Sequence, residues 1–169
     1  MRIEFRLTLN LLNNIHKQLS LPHPFAAERV GFISCGVSKL HNDGLLILGE
    51  SYLPVADDDY IDSPHYGALM GSPAIRKALQ FSYKNHKAMF HVHRHEHIGK
   101  PHFSSIDLSE SKKFIPDFWK VEPRMPHGII VLSNDSMSGL CWHPDNDQTI
   151  PIKIFSLIKQ SKNNARWIA

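Results

Sequence analysis

The sequence predicts one α/β (α+β) domain, a mixed twisted β-sheet flanked by helices. Three observations predict it. Segments of strand-like alternation interchange with segments of helical spacing along the whole chain. No internal repeat, low-complexity tract or linker divides residues 1–169. The chain has 169 residues with 42% hydrophobic and 21% charged content, which suffices for one core.

Ile3 to Leu9 alternates apolar and polar residues and reads as a strand. Leu11, Leu12, Ile15 and Leu19 then fall at helical spacing over Leu9 to Leu19, and Pro22 and Pro24 end that helix. Arg29 to Val37 is an apolar strand whose Gly31 and Gly36 suggest close backbone approaches. Asn42-Asp43-Gly44 signals a hairpin turn, and Leu45 to Val55 is the returning strand. Residues 56–71 have no clear period and read as an inserted loop. Ser72-Pro73 opens a helix to about Asn85, with Ser72 as N-cap. Lys87 to His93 is the next strand. Ser104 or Ser105 then caps a helix carrying Ile106, Leu108, Phe114 and Ile115. Gly128 to Ser133 and Gly139 to Trp142 are strands joined by a turn. Ile150 to Ile158 is a final strand bending toward a helix, and Asn163 to Ala169 a loose tail.

Composition excludes several function classes. The net charge of +3 is small and scattered, which argues against a nucleic-acid face. Met1 to Leu9 carries Arg2, Glu4 and Arg6 without a long apolar core, so no secretory signal is read there. No apolar run is long enough to span a bilayer, and a cytoplasmic location is expected. Two cysteines, Cys35 and Cys141, exclude a Cys-rich zinc knuckle, and their apolar neighbours predict buried thiols.

The unusual count is twelve histidines. Five of them, His91, His93, His95, His97 and His102, lie in one short window, and metal chemistry is the natural reading. His91-Val92-His93 continues the apolar run Ala88-Met89-Phe90, so both imidazoles share one side of a strand. Their Cα atoms are then ~6.6 Å apart, at ~3.3 Å of rise per residue. Two imidazoles at that separation can converge on one zinc ion, and Asp107 can supply a third ligand. Three protein ligands leave the fourth tetrahedral position free for water, which marks a catalytic zinc. Glu28 is the candidate base, since it opens a neighbouring strand. Ser104 lies one helical turn before Asp107, so its hydroxyl can face the same carbonyl.

Glu28 through Gly36 (ERVGFISCG), His91-Val92-His93 and Phe103 through Leu108 (FSSIDL) together resemble the JAMM metalloproteases, the zinc-binding members of the MPN (JAB) domain family. That pattern is a Glu before a glycine-bearing strand, an H-x-H pair after a strand, and S-x-x-D opening a helix. The resemblance runs from the first strand to the Gly139 to Trp142 strand and implies a single MPN-like domain. It implies that His91, His93 and Asp107 bind zinc, that Glu28 activates water and that Ser104 stabilises the tetrahedral intermediate. It implies hydrolysis of the isopeptide or peptide bond at the C-terminal glycine of a ubiquitin-like protein. Some bacterial members of the family act in small conjugation operons, including antiviral ones.

Two departures bear on the ligands. Arg94 stands where the family usually has Pro, and ten residues separate His93 from Ser104, a longer gap than the family's. His93/His95 is a second H-x-H pair with a gap closer to the family's. His91/His93 is preferred because the apolar strand leads into it. The 94–103 loop also carries His95, His97 and His102. In the family, an insertion at the position of 56–71 guides the substrate's tail, so Asp57, Asp58 and Asp59 are expected to attract basic residues of that tail. Two alternatives stay open: a non-catalytic MPN scaffold, and a zinc amidohydrolase of small molecules or sulfur-carrier precursors.

Overall fold

The structure, a computed structural model, describes residues 1–41, 43–145 and 149–159. The chain begins with β1 (Arg2–Thr8), whose Ile3, Phe5 and Leu7 are buried. Thr8 ends the strand by capping a helix: its hydroxyl accepts the N–H of Leu11 at 3.1 Å. That helix, α1 (Leu9–Leu19), buries Leu12, Ile15 and Leu19, the predicted face. β2 (Val30–Leu40) and β3 (Gly44–Pro54) form an antiparallel hairpin, with Asp43 at φ 55° in its turn. Asn42 of that turn lies outside the described residues, as does the predicted tail Asn163 to Ala169.

A 3₁₀ turn (Asp57–Asp59) and an isolated bridge between Tyr60 and Met70 give shape to the 56–71 loop. α2 (Ser72–Asn85) follows, and β4 (Ala88–Arg94) leads to α3 (Ser105–Val121). The sequence reading makes Ser72 the N-cap of α2. Gly71 takes that place instead, because its carbonyl already accepts the N–H of Ala74 at 3.1 Å and its own N–H donates to Asp59 O at 2.8 Å. α3 runs on through Pro116 to Val121; the full burial of Ile115 and Phe118 on either side outweighs the lost backbone hydrogen bond.

β5 (His127–Leu132) and β6 (Met137–Trp142) form the second hairpin. The predicted final strand is two strands, β7 (Ile150–Pro151) and β8 (Ile154–Ile158). β7 pairs with β6, while β8 pairs with β1. All eight strands belong to one mixed sheet in the order β7-β6-β5-β4-β2-β3-β1-β8. Its two edge strands are therefore joined by Ile152 and Lys153 alone, a span of at most ~10 Å from Pro151 to Ile154, so the sheet must curl until its edges nearly meet.

Alternate residues of each strand face two separate cores. Phe5, Ile33, Cys35, Ile47, Ala88, Phe90, Val92 and Cys141 pack with Leu12, Ile15 and Leu19 of α1 on one side. Both cysteines are buried free thiols. Val30, Phe32, Met89 and Ile129 pack with Ala74 and Ala78 of α2 and Phe114, Ile115 and Phe118 of α3 on the other. His91 and His93 share the parity of Met89, so β4 turns both toward the face covered by α2 and α3. Among the described residues no helix is long and apolar enough to cross a membrane.

Candidate metal centre

β2 and β4 are antiparallel, with Val30 opposite His93 and Phe32 opposite His91. Continuing that count past the last pair sets Glu28 level with His95. The end of β4 and the approach to β2 therefore bring the candidate base and the histidines to one edge of the α2/α3 face. The first turn of α3 supplies the acid.

His93 is buried, and neither ring nitrogen has a hydrogen-bond partner among the described residues. Its nearest anion is Asp107 Oδ2, 3.5 Å from Nε2. The His95 ring centroid lies 5.0 Å from that of His93. His95 is placed by its backbone, whose N–H donates to Leu132 O at 2.8 Å and so prolongs the contact with β5 beyond β4. Ligand atoms of His93, His95 and Asp107 all lie within 4.8 Å of one another, and this group can hold a metal ion. Unpartnered buried imidazole nitrogens suit such a role but do not single out His93, since Nε2 of His23, His91 and His127 is likewise buried without a partner among the described residues.

His91, the expected first ligand, stands outside that group. One pleat deeper in β4, its ring lies edge-on to Phe32 and Phe114, each centroid 5.5 Å away. Its ring is 5.8 Å from that of His93. Burial pushes its pKa down to about 3, and the ring is neutral at ordinary pH. The signal for His95 was present in the sequence as the shorter gap to Ser104. Its weight was hidden because β4 ends at Arg94, so His95 is delivered by the loop rather than by the strand.

Ser104 and Asp107 form a reciprocal capping box. The Ser104 hydroxyl accepts the Asp107 N–H at 3.1 Å, and Asp107 Oδ2 accepts the Ser104 N–H at 2.7 Å. The cap fixes the carboxylate. Burial raises the Asp107 carboxyl, but the facing His93 imidazole and the hydrogen bond from Ser104 N–H outweigh that and hold it well below the usual carboxylate range. The Ser104 hydroxyl, accepting from Asp107, still has its own proton to donate, and Ser104 is exposed to incoming molecules.

Burial raises the pKa of Glu28; the neighbouring His93 lowers it and Asp107 raises it further. That carboxylate is thus in the electrostatic reach of the same group. Glu28, His91, His93 and Asp107 line a cleft of about 470 Å³ between α2 and α3. Ala68, Leu69 and Met70 of the loop, Ile75 and Leu79 of α2, and Ile106 and Phe114 of α3 form its walls.

The acidic run is spent largely within the chain. Asp57 Oδ1 lies 2.6 Å from Arg29 Nη1, and the buried Asp59 lies 2.6 Å from Lys77 Nζ. Asp58 is exposed. The 94–103 loop is tied to the β5–β6 turn: Asn134 N–H donates to His97 O at 2.9 Å and Ser138 Oγ to Pro101 O at 2.8 Å. Arg94 reaches Asn134 Oδ1 at 3.1 Å and bonds Ser20 Oγ. His97 and His102 are exposed and stay outside the metal group.

No family model matches the chain, and no curated protein matches it. Among solved structures, it is similar to the Trichoplax adhaerens STIL N-terminal domain at 10% identity and a TM-score of 0.41, over 82% of this chain and 40% of that one.

Proposed function

We propose that the chain is a zinc-dependent peptidase or isopeptidase of the JAMM type, cleaving after the C-terminal glycine of a ubiquitin-like protein. The observation that carries this reading is the convergence of Glu28, a carboxylate of raised pKa, on the group His93, His95 and Asp107. Two imidazoles and a carboxylate are a donor set suited to zinc, with a fourth position open.

His93, His95 and Asp107 would hold the ion. When bound, it supplies Lewis acidity to the scissile carbonyl and lowers the pKa of water at the site. Glu28 takes the proton of the attacking water, a task for which a carboxyl raised above its ordinary value is matched. Ser104 Oγ–H donates to the carbonyl oxygen as it gains negative charge. Glu28 then returns the proton to the leaving amine, and the C–N bond breaks. The cleft walls exclude water from the side facing α2 and α3.

The test is cleavage of a ubiquitin-like protein extended at its C-terminal glycine by the zinc-loaded chain. Wild type is expected to cleave it and Glu28→Gln to lose roughly 10²–10⁴-fold in kcat while keeping its zinc. Equal turnover by the two would overturn the assignment. A cleft of this size also suits a small amide, so the same assay should include small acyl-amino acid amides.

A further inference from the structure

The strand pairing of β2 begins at Val30, two residues after Glu28. The stretch from Ala27 to Val30 is held instead by segment 57–67, one residue after another. The N–H groups of Ala27 and Glu28 both donate to Gly67 O, at 2.8 and 3.2 Å. The Arg29 guanidinium binds Asp57 Oδ1 at 2.6 Å, and also the carbonyls of Leu21 and Pro22 at 2.9 and 2.7 Å. Val30 N–H donates to Tyr60 Oη at 2.8 Å, and Tyr60 Oη donates back to Val30 O at 3.3 Å, both within the core. A Cβ at Gly67 would stand 2.8 Å from Glu28 Oε1, so the loop backbone lies directly against the carboxylate. The ring of His23 packs on Tyr60 with centroids 4.3 Å apart and accepts the Ala26 N–H at 2.9 Å, bracing the same turn from its other end.

We infer that segment 57–67 is a cradle that positions the Glu28 carboxylate, with Asp57, Tyr60 and Gly67 as positioning residues. The inference rests on Glu28 acting as the base in the function proposed above. A base misplaced by ~1 Å loses ~10²-fold in rate, and Glu28 precedes the strand pairing of β2, so these loop contacts fix its backbone. The cradle also accounts for the acidic run. Asp57 serves Arg29 and Asp59 serves Lys77 of α2, so these two of the three charges act within the chain, and Asp58 is exposed.

The variants Tyr60→Phe, Asp57→Asn and Gly67→Ala test this in the full, zinc-loaded chain. The probe is ubiquitin carrying a fluorogenic amide on its C-terminal glycine. Each variant is expected to lose at least about 10-fold in kcat with KM and zinc content unchanged. Arg29→Lys, which can keep the ion pair with Asp57, should retain more turnover than Arg29→Gln. Unchanged kcat in all three, or a raised KM at constant kcat, would overturn the cradle and favour a substrate-guiding loop. If wild type fails to cleave the probe, or Glu28→Gln cleaves it equally well, the proposed function fails. The cradle is then judged by hydrogen exchange. Tyr60→Phe, which removes the partner of the Val30 N–H, should deprotect the Val30 amide while the β4 amides stay protected, and unchanged exchange at Val30 would overturn it.

Discussion

Two buried histidines show how environment divides one residue type into two roles. His93 keeps both ring nitrogens unpartnered beside Asp107, whereas His127 is stacked on Phe118 at 5.0 Å and accepts the Met89 N–H at 3.1 Å. Burial pushes the His127 pKa down to about 4. The unfolded ring takes its proton below about 6.5, while the folded ring stays neutral. Its contribution is therefore whole above pH 6.5 and is lost as pH falls toward 4, on the order of 3 kcal/mol across that window. Denaturant melts between pH 4 and 7 should show this slope in wild type and a shallower one in His127→Gln. Glu28 predicts the opposite kind of pH dependence, one of rate. As base it acts unprotonated, so kcat/KM should fall on the acidic side, and an acidic limb that persists at full rate in Glu28→Gln would count against Glu28 as base. That Asp107, Ser104 and Glu28 sit at element boundaries was legible in the sequence, because each has its own local signal. The choice between His91 and His95 was not, since it depends on where β4 stops and on which ring Phe32 and Phe114 enclose.

Elements and loops share the placing of the site: α3 places Ser104 and Asp107, while loops carry Glu28 and His95. The capping box at the start of α3 uses Ser104 and Asp107 both to begin the helix and to build the site. Ser104→Ala should therefore cost about 1 kcal/mol of stability as well as activity. Ser104→Asp, which restores a cap, should recover the melting temperature without recovering turnover. Gly128 in β5 marks a close approach between elements. A Cβ there would meet Leu140 O at 2.3 Å and the Phe90 ring at 2.4 Å, so Gly128→Ala should destabilise by about 1–3 kcal/mol, read from its denaturation midpoint. Helix spacing predicted α1 within its true bounds, because its stripe of Leu12, Ile15 and Leu19 is periodic. The true N-cap of α2 was hidden, because Gly71 is fixed by a bond to Asp59 twelve residues earlier rather than by its neighbours.

The whole sheet closes through a detail no local pattern reveals. β7 and β8 read as one strand, yet they sit on opposite edges of the sheet, with Ile152 buried between them against Gly139 and its neighbours. Only long-range pairing, β8 with β1 and β7 with β6, decides that split. If this junction holds the curl shut, Ile152→Ala should cost about 2–5 kcal/mol and lower the single unfolding transition as a unit. A local loss confined to β8 would contradict a closed sheet. On the α2/α3 face, the antiparallel register of β2 and β4 and the first turn of α3 bring Glu28, His93 and Asp107 to one cleft.

The claim on which the site depends is that His93, His95 and Asp107 share one ion while His91, half-buried in the cleft lining against Phe32 and Phe114, is not a ligand. Elemental analysis of purified wild type, His91→Phe and His95→Ala tests it most directly. The account predicts about one zinc per chain in wild type and in His91→Phe, and almost none in His95→Ala. Zinc retained by His95→Ala but lost from His91→Phe would contradict it, as would a wild-type chain that binds none.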